Sequence, residues 1–280
     1  MAFFQRRVRS LVSLALLLLL CSTAASLSAD PPNSGSISRD LLWKAPFGAV
    51  LTYGYGRLVY NALSVQDIRY PEAHERRVKE TIQRAFQVAN HQPKRILEVG
   101  MGEDCRLLRR GLYDEALRQA PFEIVGIDLK MPSAAAVAAA NAHVSQIAPG
   151  STLTVTTGDV QALDNFPDGS FDCIVSCLTL CSVQSPTRAV QELHRVLKPG
   201  GTLAYIEHVA VNDNEPYRFL EWQQQLLDPL QQRLADNCHL HRYTEATIVE
   251  VFGKQPVHEE RFMVDAMWPV TCQACGVMQR

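Results

Sequence analysis

The chain has 280 residues, of which 47% are hydrophobic and 20% charged, and its net charge is −2. That is enough apolar material for one core domain of roughly 200 residues with an N-terminal extension. The near-neutral balance lacks the basic stripe that nucleic-acid binding leaves in a sequence, so no nucleic-acid partner is expected.

The first 29 residues carry no acid. Arg6, Arg7 and Arg9 precede an apolar run, Leu11–Cys21, and small residues follow at Thr23-Ala24-Ala25. This is the layout of a secretory signal peptide. The uncharged stretch from Leu11 to Ala29, about 19 residues, could equally span or lie in a bilayer. Residues 1–29 are therefore expected to be a signal peptide or a membrane anchor. Either assigns the protein to the endomembrane system, the endoplasmic reticulum membrane or the secretory pathway, with a plastid or other organelle as the alternative. An anchor lying in one leaflet, with the following domain on the cytosolic face, is the topology expected.

Residues 30–92 are expected to form a linker and an N-terminal helical cap. Pro31–Ser38 (PPNSGSIS) has linker composition. Leu41–Leu63 is aromatic and glycine-rich, which suits an irregular cap or an element at a membrane surface. Pro71 opens a helix over about Glu72–Asn90, with Val78, Ile82, Ala85, Phe86 and Ala89 on one face. The basic residues of HERRVKETIQR are interleaved with acids and read as a solvated helix face.

Residues 93–280 alternate strand and helix. Arg95–Val99 is a short buried strand that turns at Gly100 and Gly102 into a helix expected over Glu103–Arg118. Glu123–Asp128 is the second strand and Ser133–Ala148 an alanine-rich helix with Ser133 as N-cap. Leu153–Thr157 and Phe171–Leu178 are the third and fourth strands, Pro186–Leu197 a helix, and Gly201–His208 the fifth strand. Such alternation predicts right-handed crossovers and a doubly wound parallel sheet, the Rossmann-like α/β class. Pro216–Ala235 and Thr244–Phe252 follow as helices. The tail, Val257–Met263 and Gly276–Gln279, completes seven strands, read as an antiparallel edge pair.

In such sheets ligands bind outside the carboxyl ends of the strands, where the strand order reverses. Gly100, Asp128, Asp159 and Cys177 all fall at those ends. Glycines at the first turn allow positive φ and close approach of a ligand to the backbone. Asp128, one βαβ unit later, suits the hydroxyls of a ribose. A dinucleotide and S-adenosyl-L-methionine both fit this scaffold. A pyrophosphate requires helix N-terminal amides free of negative charge, yet Glu103 and Asp104 occupy that turn and Cys105 replaces a third glycine. The carboxylates instead suit an ammonium group, which favours S-adenosyl-L-methionine. Eight cysteines in a chain of this length imply no disulfide framework. Cys173, Cys177 and Cys181 read as small hydrophobes, and Cys272-x-x-Cys275 lacks a second pair, so no metal set is expected.

ILEVGMG, GIDL, GDVQALDNFPDGSFDCIV and VLKPGG, in that order over Lys94–Val209, resemble the class I S-adenosylmethionine-dependent methyltransferases. CLTLCSV, VLKPGGTLAYIEHV and WQQQLLDPLQQRLADNCHLHR, spanning Cys177–Arg242, are similar to the methyltransferase-like protein 7 group of membrane-associated thiol S-methyltransferases. The resemblance implies that Glu98, Gly100 and Gly102 wrap the methionine and ribose portion of the cofactor. It implies that Asp128, with Leu129 beside it, holds the ribose, that Asp159 and Val160 contact adenine, and that Cys177 and Leu178 face the cofactor. The family's last loop glycine is Asp104 here. The function expected is methyl transfer to a small lipophilic acceptor, a thiol first. The alternatives are C- or O-methylation of a quinone, sterol or phenol, and a catalytically lapsed cofactor-binding protein. Glu207 and His208, ending strand five, are the polar candidates for catalysis, and Trp222 and Gln223 for the acceptor wall.

Overall fold

A computed structural model describes residues 70–90, 92–118 and 121–280. The expected signal or anchor, the linker and the Leu41–Leu63 cap lie outside the described residues. Among those described, no helix is long and apolar enough to cross a membrane.

The elements in order are α1 (Glu72–Val88), β1 (Arg95–Val99), α2 (Arg106–Arg109), α3 (Asp114–Leu117), β2 (Glu123–Asp128), α4 (Ala134–Ile147), β3 (Thr152–Thr157), β4 (Phe171–Cys177), α5 (Pro186–Val196), β5 (Leu197–His208), α6 (Arg218–Leu234), α7 (Thr244–Phe252), β6 (His258–Met263) and β7 (Cys272–Gln279). Seven strands form one sheet in the order β3-β2-β1-β4-β5-β7-β6. The first five are parallel, and β7 runs antiparallel to both of its neighbours. The strand order reverses between β1 and β4, so the carboxyl ends of those two strands frame the crevice in which ligands of such sheets bind.

Caps and periodicity account for the helices. Ser133 accepts from the Ala136 N–H at 3.1 Å at the start of α4, and Ser185 from the Arg188 N–H ahead of α5, where Pro186 takes the first turn. Helix α1 buries His74, Val78, Thr81, Ile82 and Ala85 on one stripe. It lies over β5 and β7, tied by Thr202 Oγ1 donating to the Ala85 carbonyl at 3.0 Å and by Gln279 Nε2 to the Val88 carbonyl at 2.9 Å. One hydrophobic cluster joins α1 to α4 with one face of the sheet, and a second joins α5 and α7 with the other. Each fully buried aliphatic side chain, such as Ile82 or Ile96, contributes about 1.5–3 kcal/mol through its removal from water.

Two expectations are corrected. The single helix over 103–118 is two four-residue turns, α2 and α3. Cys105 adopts a left-handed backbone and Gly111 a φ of 67°, and each breaks the helical path. The tail forms the expected antiparallel edge pair, but its second strand, β7, begins at Cys272 rather than Gly276 and lies between β5 and β6. Its sequence, CQACGVMQ, is buried throughout except at its last residue, as an interior strand requires. Within β7, Cys272 packs with Val209 and Val211 and Cys275 with the opposite cluster. Their three-residue offset places them on opposite faces of the strand, so the CxxC spacing cannot act as a chelate or a dithiol.

Candidate active site

The switch-point crevice is built from two crossing loops. After β1, Gly100 has φ 73° and Gly102 φ 70°. A Cβ on Gly100 would stand 2.0 Å from the Thr179 Oγ1, because the loop leaving β4 passes directly over it. Thr179 fixes that crossing by donating to the Val99 carbonyl at 3.1 Å. The Gly102 N–H donates to Asp128 Oδ2 at 2.9 Å, and the Lys130 N–H to Oδ1 at 3.0 Å. The glycine loop and the acid that ends β2 are thus joined. Each carboxylate oxygen keeps a second lone pair for a ribose hydroxyl. Leu129 beside it is 74% exposed, an unusual position for an aliphatic side chain.

Asp159 accepts from the backbone and side chain of Gln161 at 2.9 to 3.2 Å, closing the turn after β3. Val160 is buried against the second cluster with Leu163 and Ile127. Leu178 has φ 55°, and its N–H reaches the Ile206 carbonyl at 2.8 Å. Cys177 is buried, and burial pushes its thiol up to about 12 against the pull of Arg106. It is therefore a thiol at neutral pH and no nucleophile.

Glu98 lies next to the end of β1, and neither carboxylate oxygen has a hydrogen-bond partner. Burial raises its pKa to about 7, opposed by the nearby Tyr113 hydroxyl and the Arg106 guanidinium. The Tyr113 hydroxyl and Arg106 Nη1 are likewise buried and without partners. The remainder of Arg106 is firmly held. Its guanidinium lies over the Tyr70 ring at 3.6 Å, and Nη2 donates to Cys177 Sγ at 3.3 Å. Tyr70 in turn stacks on His74 with ring centroids 5.0 Å apart.

His74 projects into the same place from α1. A side-chain carbonyl can only accept, so Nδ1 carries the proton that meets Gln273 Oε1 at 2.7 Å. Nε2 then presents its lone pair 4.0 Å from Cys177 Sγ. Burial lowers the pKa of His74 to about 4, with the Arg106 charge adding to it and the Gln273 hydrogen bond opposing. The ring is neutral at physiological pH.

An amino-acid zwitterion carries an ammonium and a carboxylate on one carbon. A buried carboxylate and a buried guanidinium nitrogen, both unpartnered and within electrostatic reach of each other, are its complement. The site therefore fits the methionine portion of S-adenosyl-L-methionine, with Asp128 and the glycine loop beyond it for the ribose.

Glu207 and His208 are placed differently from the cofactor-facing residues. Glu207 is fully buried and accepts from Ser176 Oγ at 2.7 Å, the Thr179 N–H at 3.2 Å and the Cys181 N–H at 3.3 Å. It fixes the loop that crosses Gly100. His208 is buried with Nε2 on the His239 carbonyl at 2.5 Å. Trp222 stacks on Phe219 at 5.8 Å, and Gln223 accepts from Trp268 Nε1 at 3.3 Å. Sequence reasoning missed Tyr70, His74, Arg106, Tyr113 and Gln273. Only His74 left a signal, since it shares the i, i+4, i+8 stripe of Val78 and Ile82.

Comparison with known proteins is consistent with this geometry. Residues 97–205 match the family described as a methyltransferase domain. Thiol S-methyltransferase TMT1B of Rattus norvegicus is 47% identical over 77 residues, 28% of this chain and 30% of that protein. The ubiquinone/menaquinone biosynthesis C-methyltransferase UbiE of Pasteurella multocida is 32% identical over 80 residues, 20% of this chain and 30% of that protein. The chain thus spans about 30% of the length of these curated relatives. The crystal structure of MccD protein superposes with a TM-score of 0.50 at 14% identity, over 72% of this chain and 96% of that one, a likeness of fold alone.

Proposed function

We propose that this chain, whose residues 97–205 form a class I S-adenosylmethionine-dependent methyltransferase domain, transfers a methyl group to the sulfur of a small lipophilic thiol. The observation that carries the cofactor half is the pair of unpartnered buried groups, Glu98 and Arg106 Nη1. The thiol half is supported by the identity shared with thiol S-methyltransferases over 77 residues.

When bound, the cofactor supplies an activated methyl group on a sulfonium. Glu98 would hold the ammonium, Arg106 the carboxylate, Asp128 the ribose hydroxyls, and Asp159 with Val160 the adenine. What remains for the protein is to orient the acceptor and exclude water. An ordinary thiol has a pKa near 8.5, so only a few per cent is thiolate at neutral pH. The guanidinium of Arg106 favours the anion beside it. His74, with a pKa of about 4, is too weak a base to carry the proton at rest. Its Nε2 would accept a hydrogen bond from the arriving neutral thiol, whose proton passes to solvent before methyl transfer. Glu207 acts one layer back, as a positioning residue for the loop 177–181.

The test is incubation of the full chain with deuteromethyl-labelled S-adenosyl-L-methionine and three acceptors: an alkyl thiol, a phenol and a reduced quinone. Label on sulfur is the expected result. Label on carbon alone would shift the assignment toward the C-methylation named for the UbiE relative, and label on oxygen alone toward phenol methylation. Asp104, standing where the family has a glycine, favours a second reading, a cofactor-binding protein without turnover. That reading predicts poor cofactor affinity restored by Asp104→Gly.

We further place the domain on the cytosolic face of an endomembrane, held by the apolar N-terminal segment. Protection of the intact domain from protease in sealed microsomes would overturn this placement.

A further inference from the structure

Apart from the cofactor crevice, the described residues bring together a second group of chemically active side chains, from three segments with no shared motif. Cys181 follows β4, His208 ends β5, and Cys238 follows α6. All three are buried, and Cys238 is the most exposed at 9%. Their candidate donor atoms lie within 4.8 Å of one another.

We propose that Cys181, His208 and Cys238 form a binding site for a divalent cation of the zinc class. A tetrahedral zinc with bonds of about 2.3 Å to sulfur and about 2.0 Å to nitrogen sets its sulfur and nitrogen ligands roughly 3.5 Å apart. Cys238 Sγ lies 3.7 Å from the His208 ring nitrogens. Because a carbonyl only accepts, the contact from Nε2 to the His239 carbonyl at 2.5 Å places the ring proton on Nε2. Nδ1 keeps its lone pair for a metal. A ligand histidine whose other nitrogen donates to a backbone carbonyl is the usual supporting arrangement.

The surroundings are already fixed around this point. The His239 N–H donates to the Cys181 carbonyl at 3.0 Å, and Asn237 Nδ2 to the Ser182 carbonyl at 2.8 Å. Arg242 Nη1 reaches the carbonyls of Leu180, Cys181 and Val183 at 3.1, 3.1 and 2.7 Å. Gln231 Nε2 donates to Cys238 Sγ at 3.7 Å. Two thiolates and a neutral imidazole around a divalent ion sum to zero charge, so burial of the loaded site leaves no unpaired charge. The three protein donors leave a tetrahedral ion one position for a non-protein ligand. The ion would clamp the loop carrying Leu178 to the end of β5 and to the segment after α6. The site does not depend on the identity of the methyl acceptor.

The experiment is metal analysis of the full chain, expressed with zinc and dialysed, alongside Cys238→Ser and, as a control, Cys272→Ser, a buried cysteine outside the group. The expected result is about one zinc per chain in the unmodified protein and the control, and near none in Cys238→Ser. Replacement by cobalt should give thiolate-to-metal charge-transfer absorption in the first two proteins and not in the third. These readings on the unmodified protein stand even where Cys238→Ser fails to fold. Less than about 0.1 zinc per chain in folded unmodified protein would overturn the site. So would equal zinc in a folded Cys238→Ser, or an intact mass showing Cys181 and Cys238 joined as a disulfide.

Discussion

Two buried carboxylates on neighbouring strands show how one sheet treats its two ends. Asp172, near the start of β4, is 2% exposed and fully used. It accepts from the Lys94 and Arg95 amides at 3.1 and 2.8 Å and from Lys198 Nζ at 2.8 Å. Glu98, near the end of β1, is as deeply buried, with the Tyr113 hydroxyl beside it and no amide or cation hydrogen-bonded to it. Buried charge that is paired is architecture; buried charge left open costs stability and persists where a ligand completes it. The amino end of the sheet is closed around Asp172, and the carboxyl end is left open around Glu98 and Arg106.

The comparison can be broken from either side. The largest effect is expected for Asp172→Ala, which strands two backbone amides and should cost about 2–5 kcal/mol in urea unfolding. Its affinity for S-adenosyl-L-methionine, per folded molecule, should be unchanged. Arg106→Ala should do the reverse: calorimetric affinity for the cofactor falls about 10–100-fold, the loss of one charged hydrogen bond, with less change in unfolding free energy than Asp172→Ala. An Arg106→Ala protein that binds normally would remove this residue from the site.

Glu98→Gln sharpens the contrast through pH. With its pKa raised from 4.5 to about 7 in the folded chain, Glu98 contributes stability below pH 4.5 that is lost as pH rises through 7. His74, lowered from 6.5 to about 4, works the other way, and its stability is lost as pH falls from 6.5 through 4. In unmodified protein the two opposing slopes overlap. Glu98→Gln removes the Glu98 slope and leaves that of His74, so between pH 4.5 and 7 its melting temperature should decline less, or climb more, than that of the unmodified protein. Cofactor affinity should drop about tenfold, the value of one charged hydrogen bond. The smallest effect belongs to Tyr113→Phe, which deletes the buried hydroxyl beside Glu98. Its unfolding free energy should stay within about 1 kcal/mol of the parent.

The strands were the more legible parts of the chain, whereas the pairing of Asp172 that closes the amino end was not read from the sequence. β1, β2 and β4 are short apolar runs, and the order of the glycine turn, Asp128 and Asp159 locates the switch point from sequence alone. The open end was legible only in its backbone half. Gly100, Gly102 and Asp128 act through φ angles and amides, which leave local marks in sequence. Arg106 and Tyr113 act through burial in a segment read as one regular helix. It is instead broken at Cys105 and Gly111, and the break is what turns them inward. His74 was hidden in HERRVKETIQR, where charge suggested solvent. In the fold Arg77 lies over Phe262 and pairs with Glu260, so this face too is partly covered. The extended reach of β7 was missed because CQACGVMQ has neither alternation nor β-branched enrichment beyond one valine.

The hydrogen bond between His74 and Gln273 joins residues 199 positions apart. Closing a loop of that length costs little more free energy than closing one half as long, since the penalty grows only logarithmically. Kinetically it matters more, because such distant contacts form slowly. The cofactor crevice therefore becomes complete only when α1 and β7 have both docked on the sheet. Recovery of cofactor affinity after dilution from denaturant should lag behind the recovery of helical signal, so that ligand binding times the final assembly step of the chain.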